Sequence, residues 1–219
     1  MLPLRDDIPS ERRPFITYII ITINVIVFIY EMSLGRGLRD FFISYGVIPQ
    51  NILAGIGLHS LFTSMFLHGD FWHILGNMLY LWIFGDNVED TLGKFWFITM
   101  YVLSGIIGSF AHILVSPNSP IPTIGASGAV SGVLGCYLIL FPNARVVALV
   151  PLGFFIRFTM LPAYVFLGFW IFLQLIFGFG TAGQGSGVAY FAHIGGFLVG
   201  LVFGLIFRRK RHYFHYEIY

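Results

Sequence analysis

The chain has 219 residues, of which 57% are hydrophobic and only 10% charged, with 26 glycines and 25 phenylalanines. So few charges cannot cover a soluble domain, which ordinarily carries about 25% charged residues, and a chain this apolar is not disordered. A net charge of +2, with the basic residues scattered or terminal, excludes a nucleic-acid partner, and the single cysteine, Cys136, excludes an intramolecular disulfide framework.

Charge placement divides the chain. Residues 1–14 read as a cytoplasmic N-terminal segment ending in Arg12-Arg13-Pro14. The apolar run that follows is long for a signal-peptide core and lacks a small-residue cleavage site, so it reads as a retained span. Residues 71–85 form a second charge-free run, and residues 95–144 and 158–207 carry no charge at all. A spanning helix needs about 20 residues, so each long block holds two helices and a turn. The first turn is the proline-rich 116–122 and the second the Gly/Ser/Thr/Gln stretch 178–187. The predicted fold is an all-α membrane protein, a polytopic bundle of six transmembrane helices at about 15–31, 71–89, 95–115, 126–141, 159–178 and 188–207. Residues 15–207 form the core and 208–219 a basic cytoplasmic tail. Residues 32–70 mix aromatics, aliphatics and single charges, and read as a long first loop lying in the interface.

Placing both termini on one side gives that side Arg5, Arg12, Arg13, Lys94, Arg145, Arg157, Arg208, Arg209, Lys210 and Arg211, and leaves Arg36 and Arg39 for the other. The bias places both termini of the multi-pass chain on the cytoplasmic side, and the expected location is the cell (plasma or inner) membrane.

Polar residues inside a membrane are costly and need a reason. His73 and Asn77 are four apart, on one face of the second helix. Ser127, in Gly125-Ala126-Ser127-Gly128, opens the fourth helix, where backbone N–H groups are unpaired. His193, in Ala192-His193-Ile194-Gly195-Gly196, lies early in the sixth. All four fall near the outward ends of helices far apart in sequence. Ala192, Gly196, Gly200 and Gly204 recur every four residues, as do Ser127, Ser131 and Gly135, beside Gly128 and Gly132. Small stripes of this kind let membrane helices approach closely. If they face each other, Ser127 and His193 come within reach as a nucleophile and its base, with His73, Asn77 and the Ser127 N–H as oxyanion donors.

Taken singly, each feature has a plainer use: a membrane serine usually bonds back to its own helix, and small-residue stripes usually mean packing. A metalloprotease would need His-Glu-x-x-His, absent here. An aspartyl intramembrane protease would need paired membrane aspartates, whereas Asp86 and Asp90 sit at one helix end. A transporter would place its polar residues at the midplane.

The segments Gly125-Ala126-Ser127-Gly128, Ala192-His193-Ile194-Gly195-Gly196 and His73-Ile74-Leu75-Gly76-Asn77, with the six-span layout and long first loop, together resemble the rhomboid intramembrane serine proteases of the prokaryotic six-span type. The resemblance implies Ser127 as nucleophile, His193 as general base, and His73 and Asn77 as oxyanion stabilisers. It implies Glu89 as a structural residue at the inner end of the second helix. Gly196 and Gly200 are expected to be structural through close helix packing. The implied substrates are single-span or polytopic membrane proteins, cut in or near their transmembrane segments within the lipid bilayer. No metal, other cofactor or obligatory oligomer is implied. Two positions depart from the pattern: His59-Ser60 stand where many relatives carry Trp-Arg, and Ser131 where many carry an aromatic. The strongest rival is a catalytically dead relative that binds membrane clients, which would normally lack Ser127 or His193.

Overall fold

A computed structural model describes residues 1–152, 155–181 and 188–208. Most of the Gly/Ser/Thr/Gln stretch 178–187 and the tail beyond Arg208, with Arg209, Lys210 and Arg211, lie outside the described residues.

Strand β1 (Leu2–Arg5) precedes helix α1 (Phe15–Ser33). The first loop then carries three short helices, α2 (Leu38–Tyr45), α3 (Pro49–Leu53) and α4 (Ser60–Thr63). Helices α5 (Phe71–Leu92), α6 (Lys94–Val115) and α7 (Ser127–Leu140) follow, then strands β2 (Arg145–Leu152) and β3 (Phe155–Pro162), and helices α8 (Ala163–Gly180) and α9 (Tyr190–Phe207). Four helices, α1, α6, α8 and α9, are long and apolar enough to cross a membrane by length and composition. They turn large apolar side chains outward, among them Ile26, Leu114, Phe179 and Leu205, as a lipid-facing surface does and a water-facing one rarely can.

The other two bundle helices differ for physical reasons. Helix α5 is 22 residues long but carries Asp86, Glu89 and Asp90 in its last two turns. Helix α7 has only 14 residues, about 21 Å at 1.5 Å per residue, against a hydrocarbon core of about 30 Å. It is enclosed by its neighbours, with 11 of its residues buried, so at least one of its ends lies within the depth of the core.

Glycines let α6, α7 and α9 meet. A Cβ on Gly196 would overlap the Gly128 carbonyl oxygen, one on Gly200 that of Gly132, and one on Gly132 the Ser104 hydroxyl. The residues of α7 that face α9 are therefore Gly128, Gly132 and Gly135, the last with its Cβ position 2.2 Å from the Phe197 carbonyl oxygen; of the expected row Ser127, Ser131 and Gly135, only Gly135 is shown against α9. Helix α6 joins through Ser104, Gly105 and Gly108.

One expectation is corrected. The segment before the fifth helix is not helical from residue 159: residues 145–162 form an antiparallel hairpin with Arg145 opposite Pro162 and Arg157 opposite Val150, and α8 starts after Pro162. The N-terminal segment joins this hairpin: Leu2–Arg5 adds a third strand in the order β1-β2-β3. An unbroken apolar run such as Val146-Val147-Ala148-Leu149-Val150 has no period that separates a strand from a membrane helix. Val146 and Ala148, two apart, are fully buried, as the pleat requires.

At the opposite end from the sheet, the first loop holds the segment leading into α7. Val47 and Thr123 exchange two backbone hydrogen bonds (2.9 and 2.7 Å), and Gly125 N donates to Ser64 O at 2.9 Å. His59, at the start of α4, reaches Ser44 O of α2 at 2.9 Å from its Nε2 and so ties the two inside the loop, and Ser60 is buried.

Candidate active site

Helices α5, α7 and α9 all begin at this end of the bundle, around a cavity of about 1210 Å³. Ser127, His193, His73 and Asn77 all line it. The four polar residues singled out by their depth in sequence thus share one chamber.

Asp70 starts α5 by accepting from the His73 N–H at 2.9 Å, an N-cap that fixes the first turn. His73 Nδ1 accepts from Gly69 N at 3.4 Å. The ring hydrogen is therefore on Nε2, which points at the chain just before Ser127. A Cβ built on Gly125 would stand 2.6 Å from His73 Nε2 and 3.6 Å from Ser127 Oγ. Gly125 also has φ +125°, a conformation open to glycine and strained for other residues. The serine hydroxyl and an N–H donor thus flank a spot kept clear by a missing side chain.

Ser127 is the first residue of α7, and the N-cap, Ala126, has no side chain to satisfy the N–H groups of that first turn. Ser131, one turn on, gives its hydroxyl to the Ser127 carbonyl at 2.6 Å. The His193 imidazole is covered by Trp170 of α8, with ring centroids 6.0 Å apart and 31° between planes. Tyr190 meets it edge-on at 6.4 Å and 83°. His193 Nδ1 lies 2.8 Å from Gln174 Oε1. A Cβ on Gly128 would stand 3.5 Å from the Ala192 carbonyl oxygen, so the starts of α7 and α9 lie side by side.

Asn77 is already engaged: its Nδ2 lies 3.0 Å from His68 Nε2. Burial pushes the His68 imidazole down to about 3, with His73 nearby acting the same way. It stays neutral at physiological pH, and Nε2 is free to accept from the amide. The His68 backbone N–H is held by both oxygens of Glu31, at 3.2 Å each. Glu89 lies at the other end of α5. It accepts from Ile16 N (2.9 Å), Thr17 N (2.8 Å) and Thr17 Oγ1 (2.9 Å), satisfying the unpaired first turn of α1 with a negative charge.

Sequence reasoning missed His68, Glu31, Trp170 and Gln174. His68 lies before α5, where helical spacing relates it to nothing. Gln174 carried a signal, as the one carboxamide in an apolar 18-residue helix.

Residues 57–210 match the Rhomboid domain family, a stretch that holds all four cavity residues and five of the six bundle helices. The chain is 34% identical to Rhomboid protein 1, mitochondrial, of Saccharomyces cerevisiae over 152 residues, 66% of this chain and 40% of that protein. It is 30% identical to Rhomboid protease GluP of Bacillus subtilis over 192 residues, 87% of this chain and 34% of that one. Against the human Presenilin-associated rhomboid-like protein, mitochondrial, it is 29% identical over 189 residues, 83% and 45% of the two chains. It therefore spans less than half the length of these curated relatives. A family match over most of the chain, on a bundle whose glycines bring α7 and α9 together beneath one polar chamber, makes this multi-pass membrane chain a member of the rhomboid family.

Proposed function

We propose that the chain is an intramembrane serine endopeptidase that hydrolyses peptide bonds in or near the transmembrane segments of membrane-protein substrates, using Ser127 and His193 as a dyad. The observation that carries this reading is the shared chamber: Ser127 Oγ and the His73 Nε2–H flank one cleared spot, and His193 lines the same cavity. The name of the Bacillus subtilis relative, a rhomboid protease, supports it.

His193 takes the Ser127 proton as Oγ attacks the scissile carbonyl. The oxyanion is met by His73 Nε2–H, Asn77 and the backbone N–H groups at the start of α7. The intermediate collapses to an acyl-enzyme as His193 protonates the leaving amine. Water, activated by His193, then releases the carboxylate and restores the serine. A hydrogen-bonded helix hides its carbonyls, so small or helix-breaking residues belong near the cut. In this reading the bundle crosses the cell membrane six times, the sheet-bearing side is cytoplasmic as the Lys/Arg bias directs, and the chamber opens outward. The chain acts without cofactor, and the dyad lies within one chain, so oligomerisation is not required.

The test is purification in detergent, labelling with a serine-reactive fluorophosphonate, and incubation with a panel of single-span substrates. Wild type is expected to be labelled and to cleave. Ser127→Ala and His193→Ala are each expected to abolish cleavage while remaining folded and monodisperse, and EDTA to have no effect. Cleavage by Ser127→Ala at a tenth of the wild-type rate would overturn the mechanism, and an unlabelled, inactive wild type would favour a client-binding relative.

A further inference from the structure

Gln174 reaches His193 from α8 and has no place in the dyad chemistry above. A carboxamide inside a membrane bundle is costly unless both its ends are hydrogen bonded, and here both are. Its Nε2 donates to the Trp170 carbonyl oxygen at 3.4 Å, and its Oε1 stands 2.8 Å from His193 Nδ1. A backbone carbonyl only accepts, so the amide nitrogen faces Trp170 and the amide oxygen faces the imidazole; the flipped amide would set oxygen against oxygen. An amide oxygen also only accepts, so the hydrogen of this bond belongs to Nδ1. In a neutral imidazole that leaves Nε2 as the unprotonated nitrogen.

Given the Ser127–His193 reading, we infer that Gln174 is a positioning residue of the dyad: it holds His193 in the tautomer that presents Nε2 as the base for Ser127, and it fixes the ring's rotation together with Trp170. Nothing else described on α7 does this, because the Ser131 hydroxyl is spent on the Ser127 carbonyl. The task is the one a buried aspartate performs in a serine triad, carried out by a neutral group. It orients the imidazole without the full charge that would stabilise the imidazolium, so its loss costs less. Among the described residues, the other ionisable side chains facing His193 are His73 from α5, His112 from α6 and Tyr190 from its own helix, and none of them is a carboxylate.

The experiment compares wild type, Gln174→Met and Gln174→Glu as full chains in detergent, reading fluorophosphonate labelling rate, kcat and KM on one single-span substrate, and the pH profile. Methionine keeps length and removes the acceptor. It is expected to lower kcat and labelling about tenfold, the worth of one neutral hydrogen bond in a transition state, with KM and Tm unchanged. Glutamate restores the acceptor and adds a charge that favours the protonated ring. It is expected to recover turnover at alkaline pH and to move the acid limb of kcat/KM about one pH unit higher. Wild-type labelling and an unmoved profile in Gln174→Met would overturn the assignment while leaving the dyad intact. So would an equal loss in both variants at every pH, which would mark Gln174 as packing alone. Failure of wild type to label at Ser127, or cleavage by Ser127→Ala, would overturn the dyad and the assignment together.

Discussion

At the scale of single residues, Asn77 works in company. Its amide spends one hydrogen on His68 Nε2, leaving one for the proposed oxyanion site, and the shared bond fixes where that second hydrogen points. An oxyanion donor acts on charge that exists only in the transition state, so its removal falls on kcat. Asn77→Ala is expected to lower kcat with KM little changed. A single strong donor is worth roughly 2.7–4 kcal/mol, and the loss belongs at the low end, because His73 and the α7 N–H groups remain. His68→Ala is expected to lower kcat less, and to have no further effect on kcat in the Asn77→Ala background, since it acts through that amide. Steady-state kinetics on one substrate decides it: an additive double variant would show that His68 acts by another route, and a pure KM effect in Asn77→Ala would remove Asn77 from the oxyanion site. Much of this site was legible. Helical spacing relates His73 to Asn77, and the helix starts bring Ser127 and His193 to one depth. His68 and Gln174 were not found, because their partners lie across a loop boundary and on another helix, and no linear period encodes either contact.

At the scale of elements, the close approach of α7 and α9 positions the chamber. The four-residue recurrence in α9 is plain in sequence. The facing residues on α7 are not, because small residues occupy two adjacent rows, Ser127, Ser131 and Gly135 beside Gly128 and Gly132, and the spacing alone does not choose; the glycines of both rows meet α9. Contact chooses the glycines, and Ser127 is left on the neighbouring row, turned to the cavity. The strands were illegible for a related reason: a membrane chain writes buried strands and buried helices in the same apolar alphabet. At Gly196 an added Cβ would overlap the Gly128 carbonyl oxygen, backbone against backbone, with the Ser104 carbonyl also near at 3.2 Å. Neither can swing aside as a side chain could. Gly196→Ala is therefore expected to lower stability by about 1–3 kcal/mol and to reduce activity by displacing His193, three residues earlier, from Ser127. Thermal unfolding in detergent alongside turnover tests this. Unchanged values for both would show that the helices separate freely.

At the scale of the whole molecule, the end remote from the chamber is tied together by the N-terminal segment. Ser10 donates to Asp86 at 2.5 Å, Glu11 N to Asp90 at 2.8 Å, Arg145 N to Asp7 at 2.7 Å, and the Tyr137 hydroxyl to Asp6. Residues 1–14 thus join the ends of α5 and α7 remote from the chamber to the sheet. Burial pushes the Asp6 carboxyl up to about 6, against the Tyr137 hydrogen bond, which works the other way; Asp86 and Asp7 nearby add to the rise. Between about pH 4 and pH 6 the folded chain therefore holds a proton that the unfolded chain has released. This contribution to stability is full below pH 4 and is lost as pH rises through 6. Asp6→Asn keeps an acceptor for Tyr137 and removes the titration. Relative to wild type, the variant is expected to gain more stability at pH 7.5 than at pH 4. Asp6 is partly exposed, so solvent screening reduces the difference to about 1 kcal/mol, roughly 2–4 °C in Tm for a chain of this size. Titrating groups not coupled to Asp6 are common to both proteins and cancel in the comparison. Thermal unfolding of the two at both pH values is the measurement. An equal Tm difference at pH 4 and pH 7.5 would show that Asp6 titrates alike in the folded and unfolded chains, and that the N-terminal segment does not bury it.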